Sequence, residues 1–168
     1  MLNLSSRLQA IYDHLVPGQP VWDFCCDHGL LGIKAYQSGN HPQIYFVDQV
    51  PHIMQRLENL FSRKALAGSS CQPHFFCQAG EAIDMDIHGT VVVAGVGSAT
   101  IQMMLQSWLK CGNLKAFRLI FCPHKDAENF QKEVQSLQSF DSQYQLQEVL
   151  QILERGRARK VLIFQRVL

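Results

Sequence analysis

The chain has 168 residues, 47% of them apolar and 17% charged, with a net charge of +1. That is long enough for one domain with a buried core, and too apolar and too weakly charged for a disordered chain. The near-zero charge excludes a general attraction to polyanions, and no run approaches the ~20 apolar residues that cross a bilayer. The opening MLNLSSRLQA lacks the long apolar core of a signal peptide, so a cytoplasmic location and no membrane partner are expected. None of the six cysteines forms a C-x-x-C pair, and reduced, mostly buried thiols are expected.

Leu4, Leu8, Ile11, Tyr12 and Leu15 recur at helical spacing until Pro17-Gly18 stops the pattern. PVWDFC then reads as a buried strand, Leu30 to Tyr36 as a helix closed near Gly39, and QIYFVD as a second strand. Pro51 suits the first turn of a helix through Ile53, Leu57, Leu60 and Phe61. PHFFCQ is a third strand. GTVVVAG, an unbroken apolar run between glycines, is a strand buried on both faces of a parallel sheet. Ile101, Met104, Leu105 and Trp108 mark the next helix, FRLIFCP a fifth strand, and Phe130, Val134 and Leu137 the helix after it. The alternation then stops. YQLQEVLQILERGRARKVLIFQRVL holds two strand-like runs around ERGRAR with no room for a helix, hence an antiparallel hairpin.

Five β-α units predict an open parallel sheet with helices on both faces. The terminal hairpin makes it the pattern of class I S-adenosylmethionine-dependent methyltransferases: a Rossmann-like, seven-stranded, mostly parallel sheet plus an N-terminal helix. A single domain over residues 1–168 is expected, since no linker or repeat interrupts the chain.

In such sheets ligands bind beyond the carboxyl ends of the strands. The first loop, Asp23-Phe24-Cys25-Cys26-Asp27-His28-Gly29, keeps only Gly29 of a G-x-G-x-G pattern, with Cys25 and Asp27 at the earlier positions. Asp48 ends the second strand, where a carboxylate accepts hydrogen bonds from ribose hydroxyls or caps the following helix. CQAGEA, with Gly80 and Glu81, follows the third strand where an adenine would lie. AGVGSA, with Ala94, Gly95, Gly97 and Ser98, follows the fourth, and CPHKD the fifth. His28 reads either as a side chain bonding its own turn or as a pocket residue, and His124 as an exposed loop histidine or a pocket residue.

At these residues the chain resembles the bacterial tRNA (adenine-22)-N1-methyltransferase family. Leu4, Ser5, Arg7 and Leu8 match its N-terminal L-S-x-R-L. Asp23, Asp27, His28, Gly29 and Leu31 follow its D-x-G-x-D-H-G/A-x-L loop, with Leu31 offset by one. Ala94, Gly95 and Gly97 match its A-G-M-G-G segment, and Arg118, Leu119, Ile120 and Pro123 its R-L-I-L-Q-P-N segment. The resemblance implies methyl transfer from S-adenosylmethionine to an adenine N1 of RNA, with tRNA the expected partner. Asp23, Cys25, Asp27, Gly29, Asp48, Gly80, Glu81, Ala94, Gly95 and Gly97 would hold the cofactor. Asp27, His28, Pro123 and His124 would meet the reacting base, and Arg7, Arg155, Arg157 and Arg159 the RNA.

The chain departs from the family at Cys25, Val96, Ser98, Cys122 and His124, and stops after the hairpin where members continue into a helical region. The arginines read equally as a solvated hairpin tip or as phosphate contacts. Zinc held by Cys25, Cys26 and His28 is disfavoured by the adjacent cysteines, so no metal is expected. A Cys122 nucleophile lacks a visible acidic partner. A nicotinamide dehydrogenase conflicts with the terminal hairpin. A non-catalytic cofactor-binding module that regulates a partner, or an enzyme with a small-molecule or protein substrate, stays open.

Overall fold

The computed structural model describes residues 2–62 and 70–167. Its elements in chain order are α1 (Ser6–Tyr12), β1 (Val21–Phe24), α2 (Leu30–Ser38), β2 (Gln43–Val47), α3 (Pro51–Ser62) and β3 (Gln72–Phe76). A single 3-10 turn (Gly80–Ala82) precedes β4 (Thr90–Ala94) and α4 (Ser98–Cys111). Then come β5 (Arg118–Cys122), α5 (Ala127–Ser136), the short α6 (Gln138–Asp141), β6 (Tyr144–Glu154) and β7 (Arg157–Arg166).

The strands form one sheet in the order β3-β2-β1-β4-β5-β7-β6. The first five are parallel; β7 runs antiparallel to β5, and β6 antiparallel to β7. Because side chains alternate along a strand, the central strands feed two cores. Trp22, Phe24, Val91 and Val93 pack under Ile101, Met104, Leu105 and Trp108 of α4 and Phe130 and Val134 of α5. Val21, Phe46 and Val92 pack under Ile11, Leu31, Ile33, Met54 and Leu57 of α1 to α3. The predicted architecture is therefore the observed one. Parallel pairing aligns the carboxyl ends of β1, β2, β4 and β5, and all their loops open at one end of the sheet.

Three local expectations change. The first helix ends at Tyr12; Leu15 is buried although the chain has left the helix, so core contact and not helical geometry continued the periodicity. Leu137 ends α5 and starts α6 in place of extending one helix. The cysteines are not mostly buried: Cys71 and Cys122 are, Cys25 and Cys26 are half-buried, and Cys77 and Cys111, at the ends of their elements, are exposed. All six are free. The hairpin closes through Arg155 and Gly156, both at positive φ (49° and 73°), the backbone of a two-residue turn that matches strand twist.

Candidate active site

The first loop keeps the shape of a glycine loop without its glycines. Cys25, Asp27 and Gly29, the three alternate positions, have φ of 55°, 47° and 66°. Left-handed backbone costs a non-glycine residue about 1–2 kcal/mol, so the loop holds strain at Cys25 and Asp27. Neighbouring bonds over-determine it. Gly29 N–H donates to Cys26 O (2.7 Å), Cys26 N–H to Val47 O (3.3 Å), and Asp27 N–H to Asp48 Oδ2 (3.1 Å). At Gly29 a Cβ would also lie 2.7 Å from Leu57 Cδ2, so a side chain there would have to displace the buried Leu57.

Asp48 serves two roles at once. Its Oδ1 accepts from Val50 N–H (3.0 Å), the capping role, while Oδ2 fastens the first loop. The carboxylate also lines a cavity of about 380 Å³ with Cys25, Asp27, Val47, Gly80, Glu81 and Gly95. An ionised carboxylate offers about four acceptor positions, so both oxygens can still receive hydroxyl donors. Sequence reasoning missed Gln49, Gln78, Ala79, Thr100 and Met103 on the same wall. Gln78 and Ala79 were legible only as neighbours of Gly80, and Met103 lies one position off the buried stripe of α4.

A second cavity of about 310 Å³ shares Cys25, Asp27 and Gly95 with the first. Asp23, His28, His124 and Arg7 line it, as do Leu30 and Leu31, the first residues of α2, so a helix N-terminus with its partial positive charge faces this space. Asp23 is buried, and its Oδ2 accepts from Gly32 N–H (3.1 Å). Burial pushes its pKa up to about 7; the Gly32 bond opposes this and nearby Asp48 adds to it. His28 Nδ1 lies 2.9 Å from Asp27 Oδ1, both side chains exposed at the rim.

The fourth and fifth loops are tied together: Gly95 N–H donates to Cys122 O (3.2 Å) and His124 N–H to Val96 O (2.9 Å). Arg159 of β7 donates to His124 O, and Lys160 pairs with Glu128. The other expected residues lie apart from these two cavities. Gly29 and Gly97 line neither; Gly97 caps α4. Pro123 is buried and belongs, with Arg159, to a shallower cavity of about 240 Å³ beside His124. Arg155 and Arg157 are exposed on the turn and line none of the cavities described here.

Burial raises the thiol pKa of Cys25 to about 12, with Asp48, Asp23 and Glu81 adding to it. Burial raises Cys26 and Cys122 too; for Cys122, Arg7 and Arg159 pull the other way. These thiols stay protonated at neutral pH, which leaves Cys122 unsuited to nucleophilic attack. Among the described residues no group of three or more His, Cys, Asp or Glu is placed to hold a metal ion. No helix among them is long and apolar enough to cross a membrane.

An open sheet of this order, with a carboxylate at the end of β2 and a left-handed first loop, defines the class of Rossmann-like nucleotide-cofactor proteins. The chain belongs to a methyltransferase-domain family, whose profile matches residues 4–162. No curated protein matches it in sequence. Among solved structures it is similar to the m1A22 tRNA methyltransferase TrmK of B. subtilis, at 20% identity and a TM-score of 0.78, covering 98% of this chain and 67% of that one. TrmK of M. capricolum, in complex with S-adenosylhomocysteine, gives 19% and 0.75, covering 97% and 69%. The magnesium protoporphyrin IX methyltransferase ChlM of Synechocystis PCC 6803, with bound S-adenosylmethionine, gives 20% and 0.73, covering 96% and 78%. A tRNA enzyme and a porphyrin enzyme share this fold, so the acceptor has to be argued from the site.

Proposed function

We propose that the protein is an S-adenosylmethionine-dependent methyltransferase that acts on the N1 of an adenine in tRNA. The observation that carries this reading is the pair of neighbouring cavities that share Cys25, Asp27 and Gly95 in their linings. Each is large enough to hold part of a small-molecule ligand. The first suits an adenosine, with Asp48 on the ribose hydroxyls and Gly80 and Glu81 beside the base. The second suits the amino-acid end, with Asp23 near the ammonium and the α2 N-terminus near the carboxylate.

The cofactor, when bound, supplies a methyl group on a sulfonium. The chain's task is alignment and exclusion of water, because adenine N1 attacks through a lone pair and loses no proton first. That fits a site with no dedicated general base. The loops after β4 and β5, held together by the His124–Val96 bond, form the far wall of the second cavity, with His28, Asp27 and His124 at its rim. Arg7 brings a cation to that rim. The resemblance of the D-H-G and A-G-x-G segments and the TrmK neighbours favour tRNA as the acceptor.

The test is incubation with unmodified total tRNA and methyl-labelled S-adenosylmethionine, followed by nucleoside analysis. Label in 1-methyladenosine is the expected result. Tight cofactor binding with no label in any tRNA would replace this reading with that of a non-catalytic cofactor-binding module.

A further inference from the structure

Three buried charged atoms lack hydrogen-bond partners at the junction of α1 and the hairpin: Arg7 Nε, Glu154 Oε1 and Arg159 Nε. Arg7 Nε lies 3.6 Å from Glu154 Oε2, and both side chains are 18% exposed. Glu154 is the last residue of β6, between the exposed Leu153 and Arg155, and it turns inward where both neighbours turn out. The Ser5 hydroxyl, the larger influence, and Arg7 hold its carboxyl below the usual range against the cost of burial. Arg7 in turn lines the second cavity, and its charge works against the effect of burial on the Cys122 thiol. Its Nη1 stands 4.0 Å from where a Cβ on Gly95 would lie.

An ion pair kept for stability alone has little to recommend it, since apolar side chains stabilise such a junction at least as well. What an apolar pair would not supply is a fixed guanidinium in the cavity wall.

We propose that Glu154 is a positioning residue, whose carboxylate holds the Arg7 guanidinium on the β4- and β5-loop side of the second cavity, away from the end assigned to the cofactor's amino acid, where Arg7 grips a phosphate of the RNA. The planar fork of arginine suits a phosphate, and a held fork loses less entropy on binding. The choice of phosphate rests on the RNA reading above; the pairing does not.

The direction of one effect separates this role from bystander electrostatics. Removing an acid near a bound polyanion strengthens binding if the acid merely repels it. If Glu154 positions Arg7, removing it weakens binding. Affinity for unmodified tRNA is measured with the cofactor-saturated protein for the wild type, Glu154→Gln, Arg7→Lys and the double variant. The Arg7 Nε–H resonance is followed by NMR, with Arg7→Lys supplying its assignment. Glu154→Gln is expected to weaken tRNA binding roughly tenfold, the scale of one charge-assisted bond to phosphate that an unheld guanidinium no longer makes. Cofactor affinity should be unchanged, and the double variant no weaker than Arg7→Lys alone. Glu154→Asp should recover part of the loss. Equal or tighter tRNA binding in Glu154→Gln, or additive losses in the double variant, overturns the proposal. If the wild type binds no tRNA, the RNA reading falls and the NMR arm decides the positioning. A slowly exchanging Arg7 signal lost in Glu154→Gln upholds it, and an unchanged signal overturns it.

Discussion

Replacing Asp48 tests the cofactor site most directly. Asp48→Ala removes a carboxylate that would take two ribose hydroxyls, each bond worth about 1.5–3 kcal/mol before compensation. A loss of about 2–4 kcal/mol corresponds to roughly 30-fold to 1,000-fold weaker cofactor binding. The structure adds a complication, because the same carboxylate accepts Val50 N–H and Asp27 N–H. The variant therefore also loosens a loop held at positive φ at Asp27. Two ligands separate the contributions. Calorimetry with S-adenosylhomocysteine reads both losses, while its 2′,3′-dideoxy analogue reads only the loop. The expected result is a large loss with the natural ligand and a small one with the analogue. Unchanged affinity, or equal losses with both ligands, would refute the ribose assignment.

Asp23 gives a pH signature. Its folded pKa is raised from 3.8 to about 7, so the folded state binds its proton more tightly than the unfolded chain does. Stability from this group is full below pH ~4, declines as pH rises toward about 7 and is flat above. Between pH 5 and 8 the wild type should lose about 2–3 kcal/mol more than Asp23→Asn does in urea unfolding; parallel profiles would contradict this. Gly32→Ala would set a Cβ 2.3 Å from Phe46 Cε1. Phe46 is fully buried and stacked on Phe75, so overpacking of about 1–3 kcal/mol should exceed the roughly 1 kcal/mol gained in helix propensity. A more stable variant in denaturant melts would disprove that. Arg155→Asn, at φ 49° in the hairpin turn, should raise stability by about 1 kcal/mol, read as a higher Tm; a lower Tm would contradict the turn assignment.

In the first loop the backbone conformation of a glycine turn persists without its glycines. Cys25 and Asp27 stand where a glycine loop has glycines, yet both adopt the glycine conformation. The bonds from Asp27 N–H to Asp48 and from Cys26 N–H to Val47 hold the loop in that shape beside the first cavity. The altered residue types therefore leave the loop's shape unchanged.

The alternation of apolar runs by itself determined the fold class, because a strand buried on both faces and a helix buried on one leave different periods, and a hairpin without a helix can only return antiparallel. The same pattern placed Asp23, Asp48, Gly80 and Gly95 at one sheet end, since parallel strands align their carboxyl ends. Tertiary structure decided the rest. Arg155, Arg157 and Arg159 are indistinguishable by spacing, yet only Arg159 lies level with the fifth loop and bonds His124. Leu15 looked helical because it faces the core, and a core contact leaves the same apolar mark whether or not a helix delivers it. Cys77 and Cys111 sit in or beside apolar runs but at element ends, where burial stops before the pattern does. The Arg7–Glu154 pair joins residues from near the two ends of the chain. No local signal announces it, because it exists only once the first helix and the hairpin have docked on the same face of the sheet.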